Sequence, residues 1–253
     1  MQKSLRLKSK KMKMDDRYEK MLQAFTLTKN FLKQQVDLGF NEIYVQSMNK
    51  KSNPKKRDTP GINHTVYTTA KTLTDFYQQI KDCKKCHLCK TRTNFVFGVG
   101  SQTAKVMFIG EAPGREEDLQ GEPFVGKAGQ LLDKILVAIN FTRDKVYIAN
   151  ILKCRPPENR DPLPDEIEMC EPYLLEQIRI IQPKIICALG RISAQALLKT
   201  KQTLGQLRGK FHDYNGIKFL ATYHPAALLR YPQYKRATWE DVKLLRKEYD
   251  GLG

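Results

Sequence analysis

VMFIG, residues 106–110, runs without a break into EAPGREEDLQGEPFVGKAGQLL, residues 111–132. A short apolar run ending in glycine reads as a buried strand. The Gly- and Pro-rich stretch after it reads as a long loop, with a helix resuming near residue 127. Working outward, the same alternation repeats. Apolar runs occur at Val146–Asn150 (VYIAN), Ile185–Gly190 (IICALG) and Ile217–Tyr223 (IKFLATY), and amphipathic segments lie near 127–140, 164–181, 191–199 and 236–248. Strands apolar on both faces and separated by helices predict an α/β fold with a mainly parallel sheet covered on both sides. Ligands of such sheets bind beyond the carboxyl ends of the strands. Glu111 follows the first run, Asn150 ends the second and His224 follows the last, so one shared site is expected there.

Upstream, a helix is expected over approximately Thr72–Lys81. Residues 1–70 read as a basic extension: a disordered arm over 1–14, a helix from Asp15 to about Leu38, and a Lys-, Pro- and Gly-rich linker over 49–63. Residues 71–253 then form the folded domain. The chain of 253 residues carries a formal net charge of +17, and residues 1–60 alone hold 15 Lys and Arg against 6 Asp and Glu. A basic arm on a basic body suits a polyanion such as nucleic acid, with plain solubility as the alternative. No long apolar run points to a membrane, and none follows the charged start as a secretory signal requires. The expectation is a cytoplasmic protein, in whose reducing surroundings clustered cysteines serve as metal ligands or catalytic groups rather than disulfides.

Cys83, Cys86 and Cys89 form C-x2-C-x2-C, Cys154 and Cys170 lie far downstream, and Cys187 falls inside an apparent strand. Thiolates suit zinc or an iron–sulfur cluster, and spacing leaves open both the metal and the choice of four ligands. Cys187 is most simply a small buried apolar residue. The glycine loop lacks a Gly-Lys-Ser/Thr ending, and its carboxylates would repel a nucleotide, with only Lys127 to hold phosphate; a nucleotide hydrolase is disfavoured. Phe124 on that loop can stack on a base or pack into the core. After His224, Leu228 and Leu229 can wedge into a base stack or simply pack at a helix start, with Arg230 on the backbone.

Four stretches, CKKCHLCKTRTNFVFG (83–98), GEAPGREEDLQGEPFVGKAGQLL (110–132), VYIANILKCRPPENRDPLPDEIEMC (146–170) and HPAALLR (224–230), resemble the family 4 uracil-DNA glycosylases of the uracil-DNA glycosylase superfamily. The resemblance covers about residues 72–250. It implies a three-layer α/β/α fold and a [4Fe-4S] cluster on Cys83, Cys86, Cys154 and Cys170. It implies a uracil pocket of Gly110, Glu111, Phe124, Asn150 and His224, with His224 and Glu111 catalytic, Leu228 at the wedge position and Arg230 on DNA. The substrate is then uracil-containing DNA, single- or double-stranded, acted on by a monomer. In the best-known branch of the superfamily an aspartate activates water where this chain has Ala112, so the role of Glu111 as base, uracil contact or loop anchor stays open. A related branch traps the sugar on a histidine in an inserted basic loop; ANILKCRPPENRDP runs through without that insertion, so ordinary turnover is expected. The alternative from another class is a non-catalytic, metal-stabilised DNA-binding module.

Overall fold

The computed structural model describes residues 70–252, so the arm, helix and linker expected upstream lie outside the described residues, apart from Ala70. Ala70, assigned to the extension, is buried in the core, and its carbonyl accepts from Arg179 at 2.8 Å. Helix α1, Leu73–Ile80, follows as expected, started by the Thr72 hydroxyl, which accepts the Asp75 N–H at 3.1 Å. The sheet strands are β1 (Val99–Gly100), β2 (Val106–Gly110), β3 (Tyr147–Asn150), β4 (Ile185–Leu189), β5 (Phe211–Tyr214) and β6 (Ile217–Thr222). Their spatial order is β1-β3-β2-β4-β6-β5. The four central strands are parallel, and β1 and β5 add antiparallel edges.

Alternation along each central strand sorts the core into two layers. Met107, Ile109, Tyr147, Ala149, Ile186, Ala188, Phe219 and Ala221 face one side. There they pack against α1, against α4 (Pro164–Ile181) through Tyr173, Leu174 and Ile178, and against α5 (Arg191–Leu198) through Ala194 and Leu197. Val106, Phe108, Ile148, Ile185, Cys187 and Leu220 face the other side, against Leu132 and Leu136 of α3 (Lys127–Ala138) and Val242 and Leu245 of α8 (Tyr234–Asp250). The result is three layers, α/β/α. Cys187 is a core residue whose burial pushes its thiol far above the ordinary range.

The loop after β2 is not wholly irregular. It contains helix α2, Arg115–Gln120, capped by the left-handed Gly121. Glu116, Glu117 and Asp118 sit in its first turn, where the helix dipole favours negative charge. Short helix α6 (Leu204–Leu207) and the two edge strands were likewise not expected, whereas α7 (Pro225–Arg230) is the helix start held as the alternative for Leu228 and Leu229.

A buried ion pair fastens α8 to the end of the last central strand. Asp241 is fully buried; it accepts from Arg208 at 2.9 and 3.0 Å and from the Thr222 hydroxyl at 2.7 Å. Removing one partner of such a pair strands the other in a poorly solvated site. Asp241→Ala is expected to cost about 3 kcal/mol, read as a lowered urea midpoint at unchanged slope; a midpoint within error of the wild type would mean that the clamp is not needed.

Candidate active site and cysteine cluster

The carboxyl ends of the central strands build one pocket. Gly110 ends β2 directly beside Asn150, the end of β3. A Cβ on Gly110 would collide with Asn150 Oδ1 and lie 2.6 Å from Phe124 Cζ, so only glycine lets the ring and the amide approach. Gly190, after β4, has φ of +101° and leaves room for His224, which follows β6; a Cβ there would stand 3.1 Å from the histidine's own Cβ. The Phe124 and His224 rings face each other at 5.4 Å between centroids, tilted by 32°. Gly110, Phe124, Asn150 and His224 are thus brought together. Among the described residues, Asn150 Oδ1 is the buried side-chain nitrogen or oxygen without a hydrogen-bond partner. Such an atom costs about 1–3 kcal/mol unless something supplies a donor.

Phe124 owes its position to residues that sequence reasoning did not single out. Its backbone is left-handed, φ +56°, unusual for a bulky side chain. Arg143 holds it there, its guanidinium donating to the Phe124 carbonyl and, at 3.3–3.4 Å, to that of Pro123. Glu117 holds the following turn, accepting from Val125 and Gly126 N–H at 3.0 and 2.9 Å and from Gly114 N–H at 3.1 Å. Asp118 binds the amides of Thr93 and Asn94 at 2.9–3.3 Å. The loop's acidic residues therefore anchor backbone.

His224 Nδ1 accepts the Ala226 N–H at 3.1 Å, which leaves Nε2 as the protonated nitrogen of a neutral ring. Burial drives its pKa down from 6.5 to about 4. Glu111 moves the other way, raised to about 7 first by burial and then by the charge of Asp161, with Arg191 opposing. Asp161 itself pairs with Arg191 at 3.3 Å.

The structure sets Leu228, expected at the wedge position, apart from Leu229. Because 225–230 folds as helix α7, Leu228 turns inward with Pro225 and is 2% exposed, whereas Leu229 is 48% exposed. Arg230 is exposed at the end of the same helix.

The four assigned cysteines lie on the opposite layer from α3 and α8. Cys154 and Cys170 belong to the α1/α4 core, and Cys83 and Cys86 pack against it. Each of three sulfurs accepts a donor from protein: Cys83 from Tyr173 hydroxyl at 3.1 Å, Cys154 from Arg92 at 3.2 Å, and Cys170 from Lys153 N–H at 3.3 Å. Burial pushes the Cys154 thiol up to about 11 and Cys170 to about 12; the charges of their cysteine neighbours act in the same direction. Glu166, fully buried near the start of α4, accepts from Arg160 at 2.6 and 2.9 Å and pairs with His87 at 2.9 Å, tying the Cys86 turn to the helix that carries Cys170. Among the described residues, no three His, Cys, Asp or Glu side chains form a set that could hold a single metal ion. No helix among them is long and apolar enough to cross a membrane.

The neutral His224 has a measurable consequence. The folded state binds its proton less readily than the unfolded state does, so stability present above pH 6.5 is lost as pH falls towards about 4. His224→Gln is expected to flatten that decline in urea midpoints; parallel declines in both proteins would show that the imidazole is not held neutral.

Residues 97–243 match the family model described as the uracil DNA glycosylase superfamily. A type-4 uracil-DNA glycosylase of Archaeoglobus fulgidus is 46% identical over 180 residues, covering 68% of this chain and 90% of that protein. The type-4 enzyme of Saccharolobus solfataricus is 46% identical over 178 residues, with 67% and 82% covered. That of Thermotoga maritima is 40% identical over 182 residues, with 70% and 95% covered. The motifs that build the pocket lie inside the matched span, and with relatives this similar the chain belongs to the uracil-DNA glycosylase superfamily, in its type-4 group.

Proposed function

We propose that this protein excises uracil from DNA by hydrolysing the N-glycosidic bond, the activity named for its type-4 relatives. The observation that carries the reading is the orphaned Asn150 Oδ1, buried beside the Phe124 ring and the bare Gly110 backbone. A flipped uracil offers an N–H donor to that oxygen, where cytosine presents a lone pair, and a flat face to the ring. Residues 71–253, with Ala70 packed into their core, form the glycosylase unit, and the residues before Ala70 form a basic extension.

The chemistry follows from the neutral histidine. Cleavage leaves an oxocarbenium-like sugar and a uracil anion. His224 Nε2–H donates to the oxygen where that negative charge grows, a contact stronger in the transition state than before it. An imidazole already neutral at pH 7 does this without first losing a proton. Glu111, which follows Gly110 in the chain and is half-ionised near neutrality, orients the water that attacks the sugar, the task of the aspartate whose position Ala112 occupies. Arg230, exposed at the end of α7, holds backbone phosphate.

The cysteines fit a [4Fe-4S] cluster on Cys83, Cys86, Cys154 and Cys170. What supports this is the donor set aimed at three of the sulfurs, as anionic thiolates require, together with the family. When bound, the cluster acts as a cross-link between the segment before β1 and the region after β3.

The deciding assay is alkali cleavage of a uracil-containing oligonucleotide after treatment with the protein; an uncleaved strand would leave only a DNA-binding module. His224→Ala is expected to lose roughly 10²–10³-fold in excision with DNA affinity nearly intact, and Asn150→Asp to lose preference for uracil over cytosine. Equal loss of binding and excision in the first, or unchanged preference in the second, would remove these residues from their roles. Excision by the wild type should rise through about pH 7 as Glu111 ionises, while Glu111→Gln should be slow and flat across that range. A Glu111→Gln profile that kept the rise would assign it to another group.

A further inference from the structure

Lys153 belongs to neither the pocket nor the ligand set, yet it touches both. Its side chain is fully buried. The ammonium donates to the Asn150 main-chain carbonyl at 2.8 Å and to Gln177 Oε1 at 2.7 Å. Its backbone N–H points the other way, to Cys170 Sγ at 3.3 Å, and the next residue is Cys154. Gln177 is itself fully buried and fixed, donating to the Phe97 carbonyl at 2.9 Å and the Tyr147 hydroxyl at 3.1 Å.

An apolar side chain would fill this interior position at lower cost than an ammonium, which gives up its hydration there. Two neutral oxygens offset only part of that loss. Negative charge on Cys170 and Cys154 favours the ammonium as well. What the lysine secures is the peptide of Asn150. The orphaned amide hangs from a backbone unit pinned on one side by pairing with β2 and on the other by this ammonium.

We propose that Lys153 is a positioning residue that couples uracil recognition to the cysteine site: its ammonium fixes the Asn150 peptide while its own backbone is registered on Cys170. The inference rests on Asn150 reading uracil and on metal held by the four cysteines. It gives the metal centre a consequence beyond cross-linking, because disturbance at Cys154 or Cys170 moves the residue that carries the base-reading amide.

The test uses the metal-loaded protein, with three readouts: iron content, affinity for free uracil by calorimetry, and affinity for a uracil-free oligonucleotide. Lys153→Met is expected to keep its iron and its oligonucleotide affinity while losing roughly tenfold in uracil affinity, the worth of one well-placed hydrogen bond. Wild-type uracil affinity in an iron-replete Lys153→Met protein would overturn the coupling. So would a loss of uracil affinity that only tracked loss of iron. Should Lys153→Met fail to fold, Gln177→Met releases one of the two anchors of the ammonium; it is expected to show a smaller loss at full iron content, and no loss overturns the proposal. Asn150→Asp is the control: unchanged uracil affinity there would overturn the pocket reading itself, whereas unchanged affinity in Lys153→Met alone would overturn only the coupling.

Discussion

A buried amide oxygen without a donor is the constraint around which this structure is arranged. Asn150 Oδ1 accepts no donor from the described residues, and a ligand that brings an N–H to it supplies one. Keeping that atom empty demands rigidity, because a side chain free to rotate would find a partner elsewhere. The rigidity is supplied by strand pairing through Gly110↔Asn150, by the Phe124 ring against one side, and by the lysine beneath the peptide. Phe124 in turn is held in a left-handed conformation that its own side chain disfavours, with Arg143 and Glu117 supplying the charge-assisted hydrogen bonds that offset the strain. Loop strain and an unpaired acceptor both sit at the proposed uracil pocket.

The same burial that makes the oxygen costly tunes the two titrating groups in opposite directions. A desolvated imidazole is kept neutral and a desolvated carboxyl is kept from ionising fully, each because its charged form is the one that loses hydration. The pocket therefore meets the substrate with a neutral donor and a carboxyl poised near neutrality. A positively charged histidine would also donate, but its charge would have to be created inside a poorly hydrated pocket. The Ala226 N–H to Nδ1 bond closes that option by using the lone pair on which the extra proton would sit.

Much of this was legible in the sequence, for a reason specific to parallel sheets. Strands buried on both faces appear as unbroken apolar runs, so VMFIG, VYIAN, IICALG and IKFLATY announced the four central strands almost to the residue, and the carboxyl-end rule then gathered Glu111, Asn150 and His224. Edge strands β1 and β5 did not show, since they are half-exposed and their runs are short or polar. Helix α2 was hidden because its sequence, REEDLQ, is charged and carries no apolar stripe. Leu228 and Leu229 look alike in the sequence; which one faces solvent depends on a helical turn that begins at Pro225, and a rotation of one residue exchanges their roles. Arg143 and Lys153 left no trace, because the contacts by which they hold Phe124 and Asn150 are to backbone carbonyls, which every residue has.

Charge placement separates the two halves of the molecule. Around the cysteines the donors are Arg92, the Tyr173 hydroxyl and a backbone amide, all suited to negative sulfur. Around the pocket the fixed charges are the carboxylates of Glu117 and Asp118, satisfied by backbone amides, and the Asp161–Arg191 pair. The two sets also meet at Asp118, whose carboxylate accepts from Thr93 and Asn94 just after Arg92. Lys153 joins them more directly, its backbone N–H on Cys170 Sγ and its ammonium on the Asn150 carbonyl. A cysteine site serving only to cross-link the chain would have been as well served by any apolar side chain at that position.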